Sequence, residues 1–192
     1  MKLRLDNLLK MWYHFENRMQ QLTMNHFSQA GRNSPMSTLI AFATTHGCTE
    51  KCAQDLKGLL KGEITLYNMK DRDRLDIDEY DTVIIGGSIH AGKIQRRVKN
   101  FCKKYSERLK TKKLGLYLCC MEEGENAQKQ FNGNYPEDLI RHATATGLFG
   151  GAFNFDRMNA IEKAIIKKVA KVEENVSKII EDRIKTFAKE MQ

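Results

Sequence analysis

Between an apolar run and a helical pattern lie Thr44, Thr45, His46, Gly47, Cys48 and Thr49, the stretch "TTHGCT". A strand that feeds a helix through such a turn aims backbone N–H groups and the positive end of the helix dipole at one spot. Three threonine hydroxyls add donors, and Gly47 lets the backbone approach a ligand closely. The chemistry this suits is the holding of a phosphate dianion. No Gly-Lys-Ser/Thr follows, so the loop is not a nucleoside triphosphate loop. No Gly-x-Gly-x-x-Gly is present, so it is not a dinucleotide fingerprint. A phosphomonoester held by hydroxyls and amides, without lysine or metal, points to a mononucleotide such as FMN. The alternative is a plain helix cap by Thr49.

A second loop, "GGSIHAGK", ends another apolar run. Gly86, Gly87 and Gly92 permit backbone to run beside a flat ligand and to offer it N–H and C=O groups. Ser88, Ile89 and Ala91 would lie along such a ligand. His90 would sit near its edge, where a donor stabilises the reduced form of a flavin. His90 and Lys93 are the candidate catalytic residues, placed to meet a substrate carboxylate, with Arg96 and Arg97 close by. The alternative for His90 is an exposed loop histidine without a role. A third loop starts at Cys120 and Met121 in "CCMEEGEN", where sulfur could face a flavin or simply fill the core. Cys48 stands at a helix start, which lowers a thiol pKa, although a bound phosphate would oppose this. Cys48 and Cys52 share a helical face without a companion ligand, so no metal site is expected.

The elements that must position these loops alternate along the chain. "TLIAFAT" and "YDTVIIGGSI" are near-continuous apolar runs, as in strands buried on both faces. "EITLYNM", "KLGLYLCCM" and "ATGLFGGAF" supply three more strands. Between them, "TEKCAQDLKGLLKG" and "KIQRRVKNFCKKYSERLK" read as amphipathic helices, the second with Ile94, Val98, Phe101, Cys102 and Tyr105 inward. A polar loop and a short helix opened by Pro136 precede the fifth strand. From about Arg157 one long charged helix is expected. Such alternation gives an α/β fold with a doubly wound parallel sheet, which binds ligands at the carboxyl ends of its strands.

The chain has 192 residues and a formal net charge of +8, which suits an anionic ligand or an acidic surface. No stretch approaches the roughly 20 apolar residues needed to span a bilayer. Residues 1–35 read as an appended helix and linker, leaving 36–192 as the folded domain. Five cysteines without disulfide or zinc spacing suit reduced thiols in the cytoplasm. The aromatics within "KNFCKKYSERLKTKK" fall on the inward side of a helix, so its lysines form a solvated face and no nucleic-acid partner is expected.

"TTHGCTE" resembles the phosphate loop of flavodoxins, with His46 where a hydroxyl residue is usual. "FATTHGCT" together with "VIIGGSIHAGKI" is particularly similar to the flavodoxin-like protoporphyrinogen oxidases, bacterial FMN enzymes that pass electrons to menaquinone. The resemblance runs from Ser37 to Gln192. It implies a five-stranded parallel sheet of order 2-1-3-4-5, FMN as cofactor, and a place in heme biosynthesis. The partners it implies are an anionic porphyrinogen and a quinone, with peripheral association at the inner face of a membrane. Two function classes follow: an FMN-dependent oxidoreductase with its own substrate, or a flavodoxin-type carrier docking between redox proteins. Carrier flavodoxins are typically acidic, whereas this chain is basic.

Overall fold

Side chains alternate across a strand, so a strand covered on both sides must be apolar at every position. In the computed structural model, which describes residues 36–71, 75–170 and 172–192, β1 (Ser37–Phe42) meets that demand from Leu39 onward. Leu39 and Ala41 enter one core, and Ile40 and Phe42 enter the other. After α1 (Cys48–Leu59) and β2 (Glu63–Asn68), β3 (Thr82–His90) divides the same way, with Val83 and Ile85 opposite Ile84. A two-residue β4 (Lys93–Ile94) folds back antiparallel on the end of β3. Then follow α2 (Arg96–Leu109), β5 (Lys113–Cys119), α3 (Gly124–Asn132), α4 (Glu137–His142) and β6 (Ala145–Leu148). The principal strands pair in parallel in the order β2-β1-β3-β5-β6. Taken as five main strands, that is the expected order 2-1-3-4-5.

The two faces carry different helices. On one, Val98, Phe101, Cys102, Tyr105 and Leu109 of α2 pack with Ala127 and Phe131 of α3 and Leu139 of α4. The basic residues Arg97, Lys99 and Lys103 of α2 stay exposed. On the other face, Cys52, Ala53 and Leu56 of α1 pack with Ile184, Phe187 and Ala188 of α6 (Glu181–Glu190). The Tyr117 hydroxyl in β5 donates to the Thr49 carbonyl across that core at 3.0 Å.

Two expectations need correction. The stretch after β5 is not a plain polar loop: it contains α3, held by buried Ala127 and Phe131. The tail is not one helix. After β7 (Ala152–Phe153), a reciprocal capping box starts α5 (Ala160–Ala170). There Asn159 Oδ1 accepts from the Glu162 amide, and Glu162 Oε2 accepts from the Asn159 amide, each at 2.9 Å. β8 (Val176–Ser177) then returns antiparallel to β7. The excursion is pinned where it leaves and re-enters: Lys178 N–H donates to Gly151 O and Ile180 N–H donates to Phe149 O. The appended helix expected within residues 1–35 lies outside the described residues. Among the described residues, no helix is long and apolar enough to cross a membrane.

Candidate functional site

The carboxyl ends of β1, β3 and β5 open on a cavity of about 590 Å³. The first loop contributes Thr44, His46 and Cys48 to its wall, the second contributes Ser88 through Gly92, and the third contributes Cys120 and Met121. Glu162, Ile165 and Ile166 of α5 close the far side. An adjoining cavity of about 490 Å³ shares His46 and Cys48 and extends past Gly47 to Lys51 and Arg157.

In the first loop the Thr44 hydroxyl accepts from the Gly47 amide at 2.9 Å and closes the turn. Gly47 is the cap residue of α1, at φ 92°, and makes no side-chain cap hydrogen bond. A left-handed conformation of that kind favours glycine. The plain-cap reading of Thr49 is therefore corrected, because Thr49 lies inside the first helical turn. Its side chain is buried, and Oγ1 has no hydrogen-bond partner among the described residues. With no side chain capping the helix start, its amides remain donors for an anion. Thr45 is exposed.

The second loop is organised by a residue with no signal in the sequence, Gln95. Its Oε1 accepts from the Ser88 amide at 2.8 Å, and its Nε2 donates to Ser88 Oγ at 2.5 Å and to Ala43 O at 3.2 Å. One side chain thus ties the end of β1 to the end of β3. Asn134 fixes the hairpin, accepting from the Ile94 amide and donating to Gly92 O. Ala91 and Gly92 both take positive φ in that turn. Ser88 Oγ and His90 Nε2 lie 3.2 Å apart. Partial burial of the ring, and then the neighbouring charge of His46, push His90 below the ordinary histidine range. The His46 and His90 rings are 5.7 Å apart between centroids. His46 Nε2 reaches Glu162 of α5 at 3.4 Å. The Asn159 amide and then His46 hold Glu162 below the usual carboxylate range, so it remains an anion facing the histidines.

The remaining expected positions fall into place unevenly. Gly87 does not face the cavity: a Cβ there would meet Ile94 and Val98, so this glycine serves packing against α2. Lys93 pairs with His90 across the hairpin but is exposed and stays off the cavity wall. Cys120 donates its amide to Gly150 O, and Gly151 packs against Cys120 and Met121. The expectation that Cys48 and Cys52 lack a companion is overturned, because β5 brings Cys119 to them. The neighbouring Cys119 and Cys52 thiols, as donors, hold Cys48 below the ordinary thiol range. Cys119 is raised by its Cys48 and Cys52 neighbours and by burial. Glu162 escapes the sequence because it acts across a long separation, and Gln95 because its bonds to Ser88 and to distant Ala43 depend on the hairpin that turns the chain back. The sequence signal that could have pointed to Glu162 is its spacing from Asn159, a capping box.

The family described as "Flavodoxin domain" matches residues 39–179. Oxidised flavodoxin 1 from Bacillus cereus superposes with a TM-score of 0.51 at 20% identity, covering 81% of this chain and 96% of that one. The metal-soaked flavodiiron core Flv1 from Synechocystis sp. PCC6803 gives a TM-score of 0.51 at 14% identity, over 90% of this chain and 39% of that one. At such identities the likeness shows the fold. No curated protein matches the chain in sequence.

Proposed function

Because the chain belongs to the flavodoxin-domain family, we propose that its cavity holds FMN and that the protein is an FMN-dependent oxidoreductase. The observation that carries this reading is the start of α1, without a side-chain cap and on the cavity wall at Gly47 and Cys48, with Thr49 Oγ1 buried and unpartnered behind it. A phosphate dianion is the group such a cradle fits. Thr44 through Thr49 would hold the phosphate end, and Ser88 through Gly92 with Cys120 and Met121 would flank the ring system. When bound, FMN accepts a hydride equivalent and releases electrons singly or in pairs.

The protein's own part is positioning and proton handling. Gln95 fixes Ser88, and Ser88 orients the His90 ring. Partial burial favours the neutral His90 ring, whose Nε2 accepts or donates a hydrogen bond according to its tautomer. Ile165 and Ile166 give the far wall an apolar surface. For the substrate we favour an anionic porphyrinogen, with menaquinone or a redox protein as acceptor, which would place the protein in heme biosynthesis. The net charge of +8 supports an anionic partner. His90 would donate a hydrogen bond to a propionate, with Lys93 supplying the positive charge from outside the cavity. A carrier role, passing electrons between redox proteins without a small-molecule substrate, is the second reading.

Two measurements test this. FMN is expected to bind far more tightly than riboflavin, and equal affinities would remove the phosphate cradle from the account. An anaerobic assay with protoporphyrinogen IX and menadione is expected to show turnover that falls in His90→Ala. A protein with no turnover, but whose flavin exchanges electrons rapidly with a reductase and a redox protein, belongs to the carrier class.

A further inference from the structure

Three thiols from two distant parts of the chain meet at and beneath the cavity wall. Cys48 opens α1, Cys52 lies one turn further on, and Cys119 ends β5. Their sulfur atoms all lie within 4.8 Å of one another, and Cys119 Sγ is 3.7 Å from Cys52 Sγ. The other two cysteines are occupied elsewhere. Cys102 sits in the core of the opposite face, and Cys120 Sγ contacts Glu122 O.

The three thiols are free, and one sulfur pair lies 3.7 Å apart. A cation about 2.3 Å from each sulfur holds the sulfurs about 3.8–4.0 Å apart, in tetrahedral or trigonal array. One side of the thiol triangle, 3.7 Å, is already near that size, and the others are at most 4.8 Å. It is also accessible, because Cys48 lines both cavities while Cys52 and Cys119 are buried beneath it. Ligands that are all sulfur select soft ions. Among the described residues no histidine or carboxylate joins the cluster. Three thiolates therefore complete a trigonal shell but leave a zinc ion one ligand short. The first turn of α1 adds a favourable dipole for the negative charge of Cys48.

We propose that Cys48, Cys52 and Cys119 form a trigonal site for one soft monovalent cation of the Cu(I) type. Binding forms sulfur–metal bonds, breaks the S–H bonds of the coordinating thiols and releases their protons to solvent. No electron is transferred. The site shares Cys48 with the proposed flavin site but does not require a bound flavin.

The test is an anaerobic titration of the full-length reduced protein with Cu(I), in competition with a colorimetric Cu(I) chelator. Proton release and flavin absorbance are recorded in the same samples. One Cu(I) per chain is expected, with release of protons. Cys52→Ala and Cys119→Ala are expected to weaken binding beyond the roughly 100-fold that loss of an outer-shell partner costs. Cys102→Ala is expected to bind as the wild type does. Circular dichroism checks each variant for folding. Should the two buried variants unfold, Cys48→Ser, altered at the cavity wall, provides the same comparison. Absence of stoichiometric Cu(I) binding overturns the proposal, as does binding retained in a folded variant of the trio, or Zn(II) held more tightly than Cu(I). A protein without flavin that still takes one Cu(I) upholds the site while counting against the FMN reading.

Discussion

A buried hydroxyl without a partner costs a folded chain about 1–3 kcal/mol, and Thr49 is in that position. Thr49→Val keeps the shape and removes the unpaired group. It is expected to melt no lower than the wild type without ligand, yet to lose about 1.5–3 kcal/mol of FMN affinity, the value of a hydrogen bond to a charged group. Paired melting and flavin titrations check both halves, and a variant binding FMN as tightly as wild type would contradict the role given to Thr49. His90 makes a second case. Its pKa in the fold is pushed below the ordinary 6.5, first by burial and then by His46. Between the lowered value and about 6.5 the unfolded chain takes up a proton that the folded chain resists, so stability declines as the pH falls through that window. Thermal melts between about pH 7.5 and pH 5, across the histidine range, are expected to show a shallower acid decline in His90→Gln. An unchanged decline would transfer the effect to another group. At this scale the "TTHGCT" turn was readable, since hydroxyls and glycine at a strand-to-helix turn have a direct chemical meaning. That Thr44 closes the turn while Thr49 stays unpaired depends on side-chain directions that spacing does not encode.

At the scale of elements, the two loops are one unit because Gln95 joins them. Gln95→Leu removes the acceptor of the half-buried Ser88 amide and is expected to cost about 0.5–1.5 kcal/mol, the net value of an intramolecular hydrogen bond. Denaturant unfolding measures this. A neutral substitution would show that water replaces the side chain freely. The strands themselves were legible: the apolar runs of β1, β3 and β5 have no polar face, which demands cover on both sides, and the inward positions of α2 follow its period. The tail was not. β7 and β8 have two residues each, too short to show a period. The break before α5 rests on Asn159 and Glu162, a pattern hidden within a charged stretch. Cys119 reached Cys48 and Cys52 only through the parallel pairing of β3 with β5.

For the whole molecule, the sheet begins at Met36, whose carbonyl accepts from the Glu63 amide. Ser37 next binds the Asp81 carboxylate through its amide. We expect a chain starting at Met36 to melt within about 4 °C of the full protein, the shift produced by about 1 kcal/mol in a domain of this size. A larger loss in differential scanning calorimetry would make residues 1–35 part of the fold. The excursion between β6 and α6 has a different consequence. Its departure and return are fixed by adjacent hydrogen bonds, Gly151 to Lys178 and Phe149 to Ile180. Changing the length of a segment between fixed ends alters closure entropy only slowly, by about 0.6 kcal/mol per doubling. The wall that carries Glu162, Ile165 and Ile166 is therefore interchangeable. Descendants of this chain could lengthen it, shorten it or replace its sequence while the sheet and both main loops stay as they are, so choice of partner can diverge faster than the scaffold beneath it.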